Sequence, residues 1–329
     1  MDFFGTIMFP FKWLVSIIMV GFHDGLSFIG LPAANGWTWT LSIIGLVLVI
    51  RAALIPVFVK QIKAQRGMQL LQPDLKKLQT KYKGKTDQLS RQAMAQEQMA
   101  LYKKHGTNPF SACLPMLIQM PFFFALFQVL SGISTAKNAG EGIGALSHEQ
   151  VVQFDQSSIF GAPLSASLLH GGVPGTEVAV WTLSIIMILA MTASQFITQK
   201  QIMAKNMSEE AMASPFMRQQ KMMLYILPLV FGIGGINFPI GVLIYWTTTN
   251  LWTMGQQFFV IRRMPTPGSP AAKALEERRA AKGLPPLLGG KKNANAAADA
   301  AAEAEAAAAA AAELRAQRVQ PQRKNRKKK

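Results

Sequence analysis

The sequence has little of what enzymes and disulfide-stabilised proteins need. A single cysteine, Cys113, occurs among 329 residues, which excludes a disulfide framework and a cysteine-rich metal site. No HExxH, P-loop, GxGxxG or nucleophile-elbow motif is present, so the common patterns for zinc, phosphate, dinucleotide and acyl-transfer chemistry are missing. The four histidines are scattered (His23, His105, His148 and His170), and we expect them to be ordinary loop residues. We therefore predict no enzymatic activity, catalytic residue, metal or cofactor.

Charged residues are also missing from long stretches of the chain. No Asp, Glu, Lys or Arg occurs in residues 110–136, 178–199 or 222–261, and about 20 apolar residues suffice for a helix to cross a membrane. The third stretch is twice that length and has a glycine-rich turn that ends at Pro239, which predicts a hairpin of two spans. Residues 37–59 form a further span that contains Arg51. The sequence thus predicts five transmembrane helices.

The positive charge lies in three segments that alternate with the spans. Lys and Arg number ten in residues 61–108, four in 200–221 and sixteen from 262 onwards. Residues 135–177 hold only Lys137 against four acidic residues. Because cytoplasmic loops concentrate Lys and Arg, we predict an extracellular N-terminus and a cytoplasmic C-terminus, an arrangement that five spans satisfy.

The N-terminal segment is open to two interpretations. Lys12, Ser16 and His23 fall within about 40° of one another on a helix, which is typical of a helix that lies in the membrane interface. The alternative is a signal peptide or an additional span. We favour the interfacial helix.

Two cytoplasmic segments are rich in positive charge. Residues 61–105 predict a basic helical hairpin, with Pro73 interrupting the first arm and Thr86 as the N-cap of the second. Its methionines (Met68, Met94 and Met99) either fill helix contacts or offer an adaptable apolar surface. The tail is alanine-rich and ends in a basic run, residues 323–329. Such a run attracts phosphate polymers or anionic lipid; we favour ribosomal RNA, with topology-setting charge as the alternative.

Polar residues converge on the cytoplasmic half of the spans. Arg51 and Gln119 each lie about 14 Å from the cytoplasmic face, counted along their helices. Snorkelling towards the headgroups would explain Arg51 alone. It would not explain the neighbouring polar positions of other spans (Thr192, Gln195, Gln199 and residues 247–250). A water-filled cavity that is open to the cytoplasm explains them together, and the absence of Asp and Glu from the spans argues against an ion-coupled carrier.

We therefore predict an all-α polytopic membrane protein with five transmembrane helices around a cytoplasm-open hydrophilic groove, and a cytoplasmic helical hairpin. The predicted order is an extracellular interfacial helix (1–35), the first transmembrane helix (36–60), the hairpin (61–108), the second transmembrane helix (109–135), an extracellular loop (136–176), the third transmembrane helix (177–200), a cytoplasmic loop (201–218), the fourth and fifth transmembrane helices (219–262) and the basic tail (263–329).

Several motifs resemble the YidC family of membrane insertases. They are residues 102–109 (YKKHGTNP) followed by 110–127 (FSACLPMLIQMPFFFALF), Val-Ile-Arg at 49–51 with Pro56, and 238–250 (FPIGVLIYWTTTN) with Gln256 and Gln257. The similarity extends over about residues 11–263. This chain has Val47 where some members carry threonine one turn before the arginine.

The resemblance implies a bacterial plasma-membrane insertase and chaperone that works alone or with the Sec translocon. In that family the arginine that Arg51 matches lines the groove and attracts acidic segments of substrates. Gln119 and Trp246 match groove-lining positions, and Met120, Phe123 and Tyr245 match positions near the substrate path. We expect Asn250 to help keep the cavity polar. The implied partners are nascent membrane proteins, the Sec translocon, the ribosome and anionic lipid. Rival hypotheses are a small-solute transporter and a scaffold for assembling membrane proteins.

Overall fold

The structure, a computed structural model, describes residues 3–108, 114–169, 173–207, 212, 226, 228–230 and 232–285. Most of them are helical. The helices are α1 (Phe3–Phe28), α2 (Gly36–Ala53), α3 (Ile55–Leu70), α4 (Gln72–Lys81), α5 (Gln88–Lys104), α6 (Leu114–Ser131), α7 (Ile133–Ala139), α8 (His148–Gln156), α9 (Glu177–Asn206), α10 (Ile240–Arg263) and α11 (Pro270–Ala280). A two-stranded antiparallel hairpin, β1 (Ser158–Ile159) and β2 (Ala162–Pro163), follows α8.

By length and composition, three of the described helices could cross a membrane: Gly5–Phe28, Gly36–Ala53 and Glu177–Asn206. A fourth span is possible if Leu117–Ser131 and Ile133–Ala139, which meet at 45°, act as one. The predicted fifth span begins at α10, directly after Pro239. The predicted fourth span falls largely outside the described residues, so the count of five stays a prediction.

The N-terminal helix α1 uses its polar stripe for internal packing. Ser16 and His23 are buried, and the Ser16 hydroxyl accepts a hydrogen bond from the Ala145 amide at 2.8 Å. His23 stacks on Trp39 of α2, with ring centroids 3.8 Å apart, so the expectation of an ordinary loop histidine was wrong here. Packing inside the protein explains the stripe that favoured an interfacial helix, and the position of α1 relative to the membrane stays a prediction.

The first predicted span, residues 36–60, is interrupted. Helix α2 ends at Ala53 and α3 begins at Ile55, with Leu54 between them. Pro56 explains the break, because proline has no amide hydrogen to donate and its ring collides with the carbonyl four residues earlier, here that of Ala52. The break places Arg51 in the last turn of α2.

The basic segment forms the predicted helical hairpin from α4 and α5. Pro73 lies in the first turn of α4, where its missing amide hydrogen costs nothing. The N-cap of α5 is Asp87 and not Thr86, because the Asp87 carboxylate accepts from the Ser90 amide at 2.8 Å. Met68 packs against the small core of Leu71, Leu75 and Tyr102, whereas Met99 is exposed. Met68 therefore fills a helix contact, and the adaptable surface stays a prediction for Met99.

An ion pair closes the hairpin and makes it sensitive to acid. Lys81 donates to Glu97 at 2.6 Å, and the Tyr82 hydroxyl donates to Glu97 at 2.8 Å. The bond from Lys81, followed by that from Tyr82, lowers the pKa of Glu97 below its ordinary value of 4.5. A carboxylate whose pKa is lowered in the folded state stabilises the fold at pH values above its ordinary pKa. This contribution is lost as the pH falls through the lowered pKa.

We accordingly expect the two arms to separate more often as the pH falls below 4.5. Spin labels at Lys76 and Leu89, two exposed positions on the two arms, would report a broader distribution of distances at low pH. Glu97→Gln should have the broader distribution at neutral pH already and show little further change. A distribution that responds to acid equally in both proteins would refute the role of Glu97.

The segment between α7 and α9 folds back over the starts of α2 and α10. We call residues 140–169 the outer cap, after the extracellular side on which the sequence predicts this loop to lie. Phe154 of the outer cap is fully buried and meets Trp39 edge to face, with centroids 5.2 Å apart. The carbonyls of Ala166 and Leu164 accept from the amides of Ile240 and Gly241, both at 2.9 Å. These bonds satisfy two amides of the first turn of α10, which have no partner within the helix.

An ion pair fastens α8 to α7 at the edge of the outer cap. Lys137 donates to Asp155 at 2.7 Å. Burial acts to raise the pKa of Asp155, but hydrogen bonds from Lys137 and Ser165 outweigh it, and the pKa is lowered. Asp155 therefore stays ionised at neutral pH, and the contact persists.

Candidate functional site

Arg51 is a buried charge at the end of α2. Its side chain is 7% exposed, and its Nε has no hydrogen-bond partner among the described residues. The guanidinium carbon lies 5.6 Å from the centre of the Phe58 ring, and Tyr245 of α10 lies within electrostatic range of the charge. Buried polar atoms without a protein partner are normally satisfied by water or by a ligand. The surroundings of Arg51 therefore suit a hydrated site.

A side-chain hydrogen bond joins α6 to α10 beside this charge. The Gln119 amide nitrogen donates to the Tyr245 hydroxyl at 2.7 Å. The Gln119 carbonyl oxygen has no partner among the described residues, and the same is true of Gln195 Oε1 and of the Thr247 hydroxyl. Arg51, Gln119 and Tyr245 thus form a polar centre, contributed by three helices, whose hydrogen-bonding capacity is only partly used.

Asn250 connects this region to α9. Its amide nitrogen donates to the Met191 carbonyl at 3.3 Å. One turn nearer the start of α10 lies Trp246, whose ring meets Phe123 edge to face at 4.8 Å. Phe123 also lies 6.4 Å from the Tyr245 ring. Met120 precedes Phe123 by three residues on α6 and is partly buried, so both side chains project from the same face of that helix.

An aromatic cluster lies directly beside the polar centre. Phe238 stacks on Trp246 at 5.6 Å, and Phe127 meets Phe238 at 5.5 Å. Together with Phe123 these rings form an apolar wall that continues into the core under the outer cap.

The site residues expected from the sequence include the three members of the polar centre and two rings of the aromatic wall, Phe123 and Trp246. Gln119 and Tyr245 are hydrogen-bonded to each other, and Arg51 lies within electrostatic range of Tyr245. Phe123 and Trp246 are in contact, whereas Asn250 donates to a carbonyl of α9. Phe127 and Phe238 were not predicted to belong to the site. The signal for Phe238 was its place directly before Pro239, the residue that fixes the start of α10. The groove itself is an interpretation of these contacts.

Removing the Tyr245 hydroxyl tests whether the polar centre links its helices. Tyr245→Phe should lower the free energy of unfolding by about 1–3 kcal/mol, because it leaves the Gln119 amide buried without a partner. Thermal unfolding in detergent measures the effect. The double variant Tyr245→Phe/Gln119→Leu should lose less free energy of unfolding than the two single variants lose in total, since it leaves neither partner unpaired. Full additivity would show that the hydrogen bond contributes nothing.

Comparison with known proteins places the chain in a family. The model of the 60Kd inner membrane protein family matches residues 31–267. The membrane protein insertase YidC of Streptomyces avermitilis is 48% identical over 280 residues, which are 84% of this chain and 62% of that protein. The membrane protein insertase YidC of Tropheryma whipplei (strain Twist) is 45% identical over 284 residues, 84% of this chain and 90% of that protein.

A solved structure of an active YidC insertase, with its first transmembrane domain resolved, matches with a TM-score of 0.43 and 21% sequence identity. It covers 79% of this chain, and this chain covers 47% of it. The match of the family model over most of the chain and the identity to the Tropheryma protein over most of both chains decide the assignment. This chain belongs to the 60Kd inner membrane protein family, the family of the YidC-type membrane protein insertases.

Proposed function

We propose that this chain is a membrane protein insertase and chaperone that works through a positively charged, hydrated groove in the cytoplasmic half of the membrane. The observation that carries the proposal is the polar centre, in which the buried Arg51 and Gln119 leave hydrogen-bonding atoms without a partner among the described residues. A charge inside a membrane is costly, and such residues normally face water or a functional partner. The names of the relatives support the same function.

The groove would act by shortening the apolar distance that a cargo must cross. The polar flank of a nascent membrane protein enters from the cytoplasm and exchanges bulk water for the hydrated groove. Arg51 attracts acidic groups of that flank. Gln119 and Asn250 keep the cavity polar, and Trp246 lines it beside them, without selecting one sequence. No covalent step is needed, which agrees with the predicted absence of catalytic residues.

The hydrophobic segment of the cargo would leave along the third and fifth spans, α9 and α10. Apolar side chains along α9 are exposed (Val178, Trp181, Ile185, Ile186, Leu189 and Ile197), and α10 exposes Leu251, Phe258 and Phe259. Met120, Phe123 and Tyr245 would meet the cargo first, beside Arg51. These exposed helix faces would supply the apolar surface along which the segment passes into lipid.

The remaining parts of the proposal concern location and partners. We place the protein in the bacterial cell membrane with its N-terminus outside and its C-terminus in the cytoplasm, because its Lys and Arg lie in the segments that this topology makes cytoplasmic. The Sec translocon, the ribosome and anionic lipid are the partners we propose. The basic run at 323–329 would contact ribosomal RNA; it lies outside the described residues.

Reconstitution separates insertion from the rival functions. The purified chain, as the only protein in liposomes, is supplied with a single-span membrane protein made by translation in vitro. We expect a protease-protected cargo fragment at several times the yield of liposomes that contain an unrelated polytopic protein. Equal yields would contradict the insertase and favour a scaffold. Stoichiometric binding of one small solute, without insertion, would favour a transporter.

A further inference from the structure

The tip of the β1–β2 hairpin carries a large apolar residue in an unfavourable backbone conformation. Phe160 has φ 51°, and among the described residues it is the one residue other than glycine with a positive φ. Its side chain is 72% exposed. A two-residue turn with positive φ at both positions, as at Phe160 and Gly161, favours Asn-Gly. A bulky residue at such a position is uncommon, and turn formation does not explain it.

The neighbours of the tip place it at the outer ends of two spans. The Phe160 ring meets Trp37, the second residue of α2, edge to face at 5.5 Å. Gly161 lies against Ala179 in the first turn of α9, and a β-carbon added to it would be 3.6 Å from the Ala179 Cβ. Both helices are long and apolar enough to cross a membrane. Wherever these two spans enter the bilayer, the tip is at the same level.

The surface around the tip is apolar. Trp37, Val178 and Trp181 are all about half or more exposed. Tryptophan rings at the ends of spans are typical of the boundary between lipid headgroups and acyl chains.

The distribution of charge between α7 and α9 also indicates that the tip lies at the lipid boundary. From Gln156 to Thr176 the chain carries no Asp, Glu, Lys or Arg, whereas the part before it holds Lys137, Glu141, Glu149 and Asp155. The charged part therefore suits water, and the charge-free part suits a less polar medium. A soluble loop would have no reason to separate its charges in this way.

We propose that the β1–β2 tip, with Phe160 at its apex and Trp37 beside it, inserts into the lipid interface on the extracellular side and anchors the outer cap to the membrane. The occupant of this surface is the headgroup and acyl boundary of the bilayer, because the tip lies level with the ends of two spans and its surroundings lack charge. The strained turn directs an aromatic ring outwards. This role does not depend on insertion activity.

The test places a fluorophore beside the tip and leaves Phe160 intact. Ser158 is exposed and is replaced by cysteine in a Cys113→Ala protein. The new cysteine is labelled with an environment-sensitive dye, and the labelled protein is reconstituted into phosphatidylcholine vesicles. We expect blue-shifted emission and quenching by lipids spin-labelled near the headgroup, roughly twofold stronger than for the same dye at Glu149→Cys, an exposed position in the charged part.

The variant Phe160→Asn removes the ring and keeps the turn, because asparagine tolerates positive φ. We expect the Ser158 label to shift to longer wavelength and to lose most of its lipid quenching in this variant, while thermal unfolding in detergent is unchanged or slightly improved. Equal quenching at Ser158 and Glu149, or strong quenching by aqueous iodide at both, would overturn the proposal. Shielding from both quenchers that rises with protein density would indicate a second copy over the tip and would also overturn it.

Discussion

Replacing Arg51 with alanine is expected to reduce about tenfold the insertion of cargo whose extracellular tail is acidic, a loss of about 1.4 kcal/mol. Two opposite charges about 6 Å apart at an effective dielectric constant of about 20 attract one another by about 3 kcal/mol, so one lost contact accounts for the effect even after partial screening. The yield of protease-protected cargo in reconstituted vesicles measures it.

Two controls separate charge from shape at this position. Arg51→Lys keeps the charge and should retain most of the activity, although it loses the planar geometry that suits carboxylates. Neutralising the acidic residues of the cargo tail should restore insertion by Arg51→Ala to near the wild-type yield. If Arg51→Ala reduces insertion of the acidic and the neutralised cargo equally, the attraction is not electrostatic. The hydrated groove would then remain as the explanation.

The largest effect on stability is expected from the outer cap. Phe154→Ala should lower the free energy of unfolding by about 3–5 kcal/mol, the range for removing a buried phenylalanine. The Phe154 ring is fully buried and lies between Trp39 of α2 and Gly241 of α10. A β-carbon added to Gly241 would be 3.2 Å from the Cζ atom of Phe154. Its loss opens a cavity between two spans and the outer cap. Unfolding in detergent, followed by tryptophan fluorescence, measures the change.

A matched substitution on the same side of the molecule provides the control. Phe28 at the end of α1 is 92% exposed, so Phe28→Ala should change stability by less than about 0.5 kcal/mol. A Phe154→Ala protein as stable as Phe28→Ala would mean that the outer cap does not pack on the spans as described.

The features that sequence could predict are those set by local chemistry. Runs without charge predicted α9 and α10, and Pro239 predicted the start of α10. Both signals are local, because the absence of charge and the missing amide hydrogen of proline affect only residues that are close in the sequence. Counting residues inward from the charged ends placed Arg51 and Gln119 at one depth. The hydrogen bond from Gln119 to Tyr245, which lies within electrostatic range of Arg51, is consistent with that count.

The features that escaped prediction depend on contacts between distant parts of the chain. The fold of the outer cap requires Leu164 and Ala166 to accept hydrogen bonds from Gly241 and Ile240, and no local pattern records such a pairing. His23 looked like a loop residue because its stacking partner, Trp39, lies on another helix. The N-cap of α5 was assigned one residue early because Thr86 and Asp87 are both good caps, and only the backbone path chooses between them.

The most direct test of the central claim is photocrosslinking from the polar centre and from Trp246 beside it. A photoreactive residue at Gln119 or Trp246 is compared with one at Val49, which is half-exposed and about 160° around α2 from Arg51. During translation of a short single-span membrane protein, we expect crosslinks to the nascent chain from Gln119 and Trp246, to several unrelated cargoes, and few from Val49. Absence of crosslinks from Gln119 and Trp246, while the cargo still inserts, would contradict the groove as the path of insertion.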